Sequence, residues 1–166
     1  MNDSSLSQNA LKIERIFDAP VDYIWQLWTQ PELFKSWYGP QGFSVPIAEF
    51  DVRVGGKRKF CMQSPDGNMK MWLAGEYVEI VPNTRLVYTE RMADEHGNAL
   101  APSADGGNKD FLITSEITVQ LEDLGGRTKM VMTHANVPGK TEWAKSGWEE
   151  AFDKMAVHVE TLPKAK

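Results

Sequence analysis

Residues 140–166, KTEWAKSGWEEAFDKMAVHVETLPKAK, decide how this chain folds. Large apolar side chains recur along this stretch at spacings of four, three, four and three residues, which is typical of a helix with one buried face. The stripe comprises Trp148, Phe152, Met155, Val159 and Leu162. Because strand-like segments precede it, we expect the helix to cover a sheet. A helix laid across a curved sheet either fills the space beneath it or leaves a cavity, so this stripe bears on whether the protein binds a ligand.

Seven strands are predicted ahead of this helix. They are indicated by alternating apolar and polar residues and by turn residues such as Pro65-Asp66-Gly67 between the segments. The predicted strands are residues 11–17, 43–50, 57–63, 69–81, 85–92, 111–121 and 128–134. Strands joined by sequential hairpins form an antiparallel sheet.

Two short helices are predicted between the first and second strands. Pro20 suits the first position of one helix, and Pro31 begins another that runs to about Trp37 before Gly39-Pro40. The buried stripe of the first helix is expected to comprise Val21, Ile24, Trp25 and Trp28. An antiparallel sheet with helices on one face is an α+β architecture.

Three further segments are interpreted from their composition. Residues 1–9 are polar and are expected to form a disordered tail, which leaves a single domain over residues 10–163. Residues 93–110 are rich in Gly, Pro, Asn and Asp, and loops of this length are usually lids or mobile segments. Thr141 is expected to cap the final helix.

Charge and composition exclude several classes of function. A net charge of −5 in 166 residues argues against nucleic acid as a partner, because phosphate binding needs clustered cations. The basic cluster Arg53, Lys57, Arg58 and Lys59 is interpreted as a solvated strand edge. The single cysteine, Cys61, is expected to be a packed side chain. One cysteine cannot form an intramolecular disulfide, which favours a cytoplasmic location. No apolar run is long enough to span a membrane.

An ordered set of short motifs resembles a known family. Its members are Ala19-Pro20, Trp25, Trp37, Gly39-Pro40, residues 51–56, residues 75–80, Pro82, residues 85–90, Thr133-His134, Gly147-Trp148 and Phe152. Together they resemble bacterial stand-alone proteins related to the C-terminal domain of the activator of the heat-shock-protein-90 ATPase. That family lies in the START-like (SRPBCC), birch-pollen-allergen-like superfamily, and the resemblance covers roughly residues 10–163.

The resemblance implies a helix-grip fold, in which a curved seven-stranded antiparallel sheet wraps around the long C-terminal helix. It also implies a hydrophobic cavity between sheet and helix. Superfamily members include binders of lipids, hormones and polyketides, and also cyclases and hydrolases. A role in the stress response follows from the name of the family alone.

Strand alternation assigns side chains to the expected pocket. Arg58 and Glu90 fall on inward positions where the resembling proteins often carry apolar or aromatic residues. A buried charge needs an opposite charge or a polar ligand as its partner. Arg58 and Glu90 therefore either orient a ligand in the pocket or pair with each other or with water and have no further role. His134 is a candidate acid or base, or a structural histidine. The full candidate pocket is Trp37, Arg58, Phe60, Met62, Trp72, Tyr88, Glu90, Met132, His134, Trp143, Trp148 and Phe152.

The leading hypothesis is a protein that binds a small hydrophobic or amphipathic molecule, entering near residues 93–110 and the short helix that ends at Trp37. The alternatives are an enzyme of hydrolase or cyclase type using Arg58, Glu90 and His134, and a co-chaperone or interaction module using an outer surface. No catalytic residue is assigned. The sequence has no zinc-type spacing and no phosphate loop, so neither a metal nor a cofactor is expected. Exposed strand edges are compatible with a homodimer.

Overall fold

The computed structural model describes residues 10–98, 114–137 and 140–161, and the structural statements below concern these residues. Their elements are β1 (Leu11–Phe17), α1 (Val21–Thr29), α2 (Pro31–Phe34), β2 (Ser44–Phe50), β3 (Lys57–Gln63), β4 (Lys70–Val81), β5 (Arg85–Ala93), β6 (Ser115–Asp123), β7 (Thr128–Ala135) and α3 (Thr141–Glu160). This order of elements matches the predicted α+β class.

The seven strands form one antiparallel sheet in the order β1-β7-β6-β5-β4-β3-β2. Every strand except β1 neighbours the strand next to it in sequence, because hairpins connect them. β1 closes the order by pairing with β7, with Leu11 opposite His134. The sheet, the two short helices and the long C-terminal helix together form the helix-grip fold.

The buried core lies between the sheet and the helices, on what we call the inner face of the sheet. The predicted stripe of α3 is buried at Trp148, Phe152, Met155 and Val159, while Leu162 lies outside the described residues. Against it lie inner-face side chains of the neighbouring strands, among them Phe60, Leu86, Tyr88, Ile117, Val119, Met130 and Met132. The stripe therefore does cover a sheet.

Several predicted boundaries need correction. α3 runs from Thr141 to Glu160, so the predicted cap Thr141 is its first helical residue. The N-cap is Lys140, whose side chain makes no capping hydrogen bond. α1 begins at Val21, one residue after the predicted start, because Pro20 is its N-cap. α2 ends at Phe34, before a turn through Trp37. Helix ends are hard to place because the local signals tolerate shifts of one or two residues.

The buried stripe of α1 also differs from the prediction. Ile24 and Trp28 are buried as expected, but Leu27 is the third large buried residue, and Val21 and Trp25 are only partly buried. Of the predicted loop, residues 94–98 form a turn closed by Asp94, and residues 99–110 lie outside the described part of the chain. β6 is described from Ser115, so the predicted start at 111 is not covered.

Gly75 marks a close approach between two strands. It lies opposite Arg58 on β3, and the register of β4 with β5 places it opposite Glu90. A β-carbon at Gly75 would collide with the backbone carbonyl of Thr89, so only glycine fits there. Because Gly75 has no side chain, Arg58 and Glu90 can meet across it on the inner face.

Candidate functional site: a polar cluster inside an aromatic core

Five polar side chains lie close together on the inner face, and we call Arg58, Tyr77, Tyr88, Glu90 and His134 the inner polar cluster. The register places them in two adjacent rows across the sheet, one containing Arg58 and Glu90 and the other containing Tyr77, Tyr88 and His134. All five are buried. Strand alternation explains why they face inward together, because residues two apart on a strand share a face.

Arg58 is the most deeply buried charge of the cluster, with 1% of its surface exposed. Its guanidinium carbon lies 3.7 Å from the centroid of the Tyr88 ring and 4.7 Å from that of Phe50. Three further rings, those of Phe34, Phe60 and Tyr77, lie within 5.7 Å. Aromatic faces attract cations, so this cage offsets part of the cost of removing the charge from water.

Glu90 is the only carboxylate described in contact with Arg58. Its Oε2 accepts a hydrogen bond from Arg58 Nη1 at 3.3 Å, and both side chains are shielded from solvent. Burial raises the pKa of Glu90, and the favourable charge of Arg58 only partly opposes this effect. The pair is thus held together in a medium that penalises either charge alone.

Several polar atoms of the cluster have no well-aligned partner among the described residues. Arg58 Nε and Nη2, the hydroxyls of Tyr77 and Tyr88, and His134 Nε2 are buried without a well-aligned hydrogen bond, although the two hydroxyls lie within reach of the guanidinium and interact with it. Burial raises the pKa values of both tyrosines, so their hydroxyls stay protonated. Buried polar atoms without partners are uncommon in folded proteins, and a concentration of them in one place indicates a site that another molecule can satisfy.

His134 is fixed by the C-terminal helix. Its Nδ1 accepts a hydrogen bond of 2.9 Å from Trp148 Nε1, which is donor only, so the neutral ring carries its proton on Nε2. Burial lowers the pKa of His134 to about 4, so the ring stays neutral near pH 7. The histidine therefore presents an N–H donor to the interior, and Trp148 ties that donor to α3.

A small depression opens beside the N-terminal half of α3. It has a volume of about 120 Å³ and lies between the turn after α2 and the helix. Its walls are Tyr38, Gly39, Pro40, Met62, Ala144, Gly147, Trp148 and Ala151. Three of the four residues that the helix contributes are small, namely Ala144, Gly147 and Ala151, at spacings of three and four. Their short side chains do not fill the space between the helix and the turn, so the depression remains open.

Tyr38 and Trp148 separate the depression from the inner polar cluster. The ring of Trp148 packs edge-on against Tyr38 at 5.6 Å and against His134 at 5.9 Å. Burial raises the pKa of Tyr38 well above its ordinary value, and the negative charge of Glu90 adds to this rise. Two aromatic side chains thus form the floor of the depression on one side and face the cluster on the other.

The space beneath α3 is otherwise filled by aromatic side chains. Phe34 stacks on Tyr38 at 4.5 Å and contacts Phe60 edge-on at 5.1 Å, while Trp28 meets Trp37 at 4.8 Å. A ligand larger than the depression must therefore displace side chains to reach the cluster.

Most residues of the predicted pocket are brought together on the inner face. These are Trp37, Arg58, Phe60, Met62, Tyr88, Glu90, Met132, His134, Trp148 and Phe152. The prediction of a solvated basic edge is wrong for Arg58, which is buried. The other three cations form ion pairs: Arg53 with Asp51 at 2.8 Å, Lys57 with Glu76 at 2.7 Å and Lys59 with Glu49 at 3.5 Å.

Two predicted pocket residues lie elsewhere. Trp143 is 69% exposed and stacks near the ammonium of Lys140, because it falls outside the buried stripe of α3. Trp72 lies on the outer face of the sheet, opposite Cys61, with the ammonium of Lys59 at 5.5 Å from its ring. Cys61 itself is buried, as expected for a packed side chain.

Other features of the site were not predicted from the sequence. Tyr77 completes the cage around Arg58, and the inward alternation of β4 could have assigned it there. Ala144, Gly147 and Ala151 form one wall of the depression. Their spacing could have indicated a helix face with short side chains, but such faces also occur in ordinary helix packing.

The outer face carries a larger groove of about 920 Å³. Its polar lining residues are Glu49, Asp51, Lys57, Arg58, Lys59, Glu76, Thr89, Arg91, His96, Asn98 and Thr114, so the buried Arg58 borders this groove as well as the inner polar cluster. The cations and carboxylates of this groove largely pair with one another, as in Lys57 with Glu76, so charge is mostly matched within the groove.

Within the described ranges, no three His, Cys, Asp or Glu side chains come together as a metal site would require. None of the described helices is long and apolar enough to cross a membrane.

Comparisons with known proteins agree with this architecture. Residues 18–160 match the sequence profile of the family described as activator of Hsp90 ATPase homolog 1-like protein. No curated protein matches the sequence.

Solved structures of similar fold come from several bacteria. A protein of Chromobacterium violaceum is 25% identical with a TM-score of 0.78, and the match covers 94% of this chain and 99% of that one. A protein of Arthrobacter aurescens is 26% identical with a TM-score of 0.72, covering 100% of this chain and 92% of the other. The AHSA1 protein of Silicibacter pomeroyi shares the fold with a TM-score of 0.71 at 18% identity. That match covers 91% of this chain and 97% of the other.

Proposed function

Because the chain belongs to the family of activator of Hsp90 ATPase homolog 1-like proteins, we propose that it binds a small hydrophobic or amphipathic molecule between the sheet and α3. One observation carries the proposal: only Tyr38 and Trp148 separate an open apolar depression from a buried polar cluster that holds donors without well-aligned partners. Ligand sites in proteins combine apolar walls with a few polar groups that fix orientation.

The depression by itself accommodates a group about as large as a small aromatic ring. Its volume of about 120 Å³ is of the order of an engineered apolar cavity, about 150 Å³, that takes up benzene. Met62 contributes a flexible and polarizable wall, which adapts to ligands of irregular shape. A ligand that displaced the ring of Tyr38 or Trp148 would join the depression to the polar cluster and enlarge the space available.

The same geometry gives no support to acid–base catalysis by His134. With a pKa of about 4, this histidine does not change its charge between about pH 5 and 8. An enzyme reading would need another group to move a proton near neutral pH. We therefore favour binding over turnover.

The proposal is tested with 1-octanol, a neutral amphipathic probe, by NMR. Intermolecular nuclear Overhauser effects are expected between the alkyl chain of the probe and the protons of Trp148, Tyr38 and Met62. Gly147→Leu fills the depression and is expected to abolish them. Val157→Leu is the matched control, because Val157 is 62% exposed on the same helix, and it is expected to leave them unchanged.

Two results would count against the proposal. One is that the probe gives no contacts with the folded protein. The other is that its contacts map to the outer groove, around Lys59 and Arg91, and persist in the Gly147→Leu variant.

A further inference from the structure

We infer that the inner polar cluster is a recognition site for the carboxylate of an amphipathic monocarboxylic acid, with Arg58 as its anchor. This inference rests on the proposed function, because the apolar part of such an acid would occupy the space between the sheet and α3. It adds the chemical class of the polar end.

The first step of the argument is the unused edge of the guanidinium. Glu90 engages only Nη1 of Arg58, while Nε and Nη2 make no well-aligned hydrogen bond to a described acceptor. Nε and Nη2 lie side by side on one edge of the planar group and point in parallel directions. This edge matches the two oxygens of a carboxylate, which is the partner that arginine binds in a bidentate fashion.

The second step is an excess of donors over acceptors. Besides the two nitrogens of Arg58, the Nε2–H of His134 has no partner among the described residues, and the hydroxyls of Tyr77 and Tyr88 have only the nearby guanidinium. Glu90 is the only carboxylate among the five side chains of the cluster. The arginine and histidine N–H groups only donate, so a molecule that satisfies them must bring acceptor oxygens, while the tyrosine hydroxyls can donate to the same oxygens.

The third step is the charge that the cluster can tolerate. Arg58 carries one positive charge, and Glu90 already compensates it when ionised. The buried Glu90 accepts a proton more readily than an ordinary glutamate, and with that proton bound a single carboxylate restores neutrality. A phosphate dianion would leave an unpaired buried charge, which is costly, so a monoanion is favoured.

The final step is the surroundings of the guanidinium. Phe34, Phe50 and Phe60 line it, and Phe60 packs against Tyr38 at 4.9 Å, next to the depression. An apolar chain that enters past Tyr38 and Trp148 would therefore run along aromatic rings toward Arg58. A free inorganic anion would gain nothing from these rings.

The test compares octanoate with methyl octanoate, which has the same chain and no charge. By isothermal titration calorimetry at pH 7, octanoate is expected to bind the wild-type protein at least tenfold more tightly than the ester. In the double variant Arg58→Met/Glu90→Leu, which leaves no unpaired buried charge, the two probes are expected to bind equally. Tyr88→Phe keeps the ring over Arg58 and is expected to weaken octanoate alone.

A matched control addresses the outer groove. Lys59→Met removes a half-buried cation that lines this groove on the outer face, and it is expected to leave the preference for octanoate unchanged. A preference that disappears in Lys59→Met and survives in Arg58→Met/Glu90→Leu would overturn the inference.

Other outcomes separate the inference from the proposed function. Equal binding of both probes to the wild-type protein would overturn the carboxylate site while leaving an apolar site in place. Tighter binding of octyl phosphate than of octanoate would overturn the choice of a monocarboxylate. Failure of both eight-carbon probes to bind would overturn both proposals.

Discussion

Arg58 and Glu90 form a charge pair that the fold has buried with few other polar contacts. Taking two charges out of water costs several kcal/mol for each ion, and a single hydrogen bond of 3.3 Å recovers only part of that cost. The five rings around Arg58 recover more, since each cation–π contact contributes about 0.5–2 kcal/mol. A pair that is weak as a stabiliser and rich in unused donors is more readily explained by binding than by stability.

Removing one member of the pair is expected to be more harmful than removing both. Arg58→Met leaves Glu90 buried without its partner and should lower the free energy of unfolding by about 3 kcal/mol. Arg58→Met/Glu90→Leu should recover most of this loss, because apolar replacements of a buried pair are often neutral or stabilising. Urea denaturation at pH 7 measures both values.

An exposed pair provides the control for this experiment. Lys57 and Glu76 are in contact at 2.7 Å but are largely exposed, so Lys57→Met should change stability by less than about 1 kcal/mol. If Arg58→Met lowered the free energy of unfolding no more than Lys57→Met does, burial of Glu90 without Arg58 would not be costly, which would contradict the prediction.

His134 should make stability depend on pH. The pKa of His134 is about 4 in the folded protein and about 6.5 in the unfolded chain, so the unfolded chain takes up the proton first as pH falls. Its contribution is fully present above pH 6.5 and is lost as pH falls to 4, by about 3 kcal/mol in all. Glu90 acts in the opposite direction, because its pKa is raised in the folded protein.

His134→Gln separates these two contributions. Its side-chain oxygen can still accept the Trp148 hydrogen bond, but it does not titrate. The difference in unfolding free energy between wild type and variant, measured from pH 7 to 4, should narrow as pH falls. A constant difference over this range would contradict the neutral, buried state of His134.

At the scale of elements, α3 does two different things along its length. Its C-terminal half closes the core with Met155 and Val159, which are buried. Its N-terminal half presents Ala144, Gly147 and Ala151 to the turn after α2, and the depression lies between them. The same helix therefore both seals the core and borders an open depression.

Gly147→Ala is expected to stabilise the protein. Alanine is favoured over glycine inside a helix by about 1 kcal/mol, and the added β-carbon would meet Pro40 Cγ at an ordinary 3.7 Å. The rise should be visible in thermal denaturation, together with weaker binding of 1-octanol as the depression narrows. A lower melting temperature would show that an added β-carbon at position 147 collides with Pro40, and so would contradict an open depression.

The elements also show what the sequence could and could not predict. The stripe of α3 and the inward positions of Arg58 and Glu90 followed from simple periodicity, which is strong where one face is fully buried. Trp143 and Trp72 were assigned to the pocket because they are large and apolar, but size does not determine the side on which a residue lies. The hydrogen bond from Trp148 to His134 depends on tertiary contacts, and no local pattern encodes it.

At the scale of the whole molecule, the sheet, the turn after α2 and the long helix together enclose one aromatic core with polar atoms at its centre. The match to the family agrees with the observed fold, and Arg58, Tyr88 and Glu90 give the core of this chain its polar centre. A protein-interaction role would use the outer face, where charges pair within the groove. The site we favour is on the inner face.

The central claim is that a small amphipathic molecule lies between the sheet and α3, and one measurement tests it most directly. It is the set of intermolecular nuclear Overhauser effects between 1-octanol and the wild-type protein. The account predicts contacts of the alkyl chain with Tyr38, Met62 and Trp148 at the mouth of the inner face. Contacts with the outer groove alone, or none at saturating probe, would contradict it.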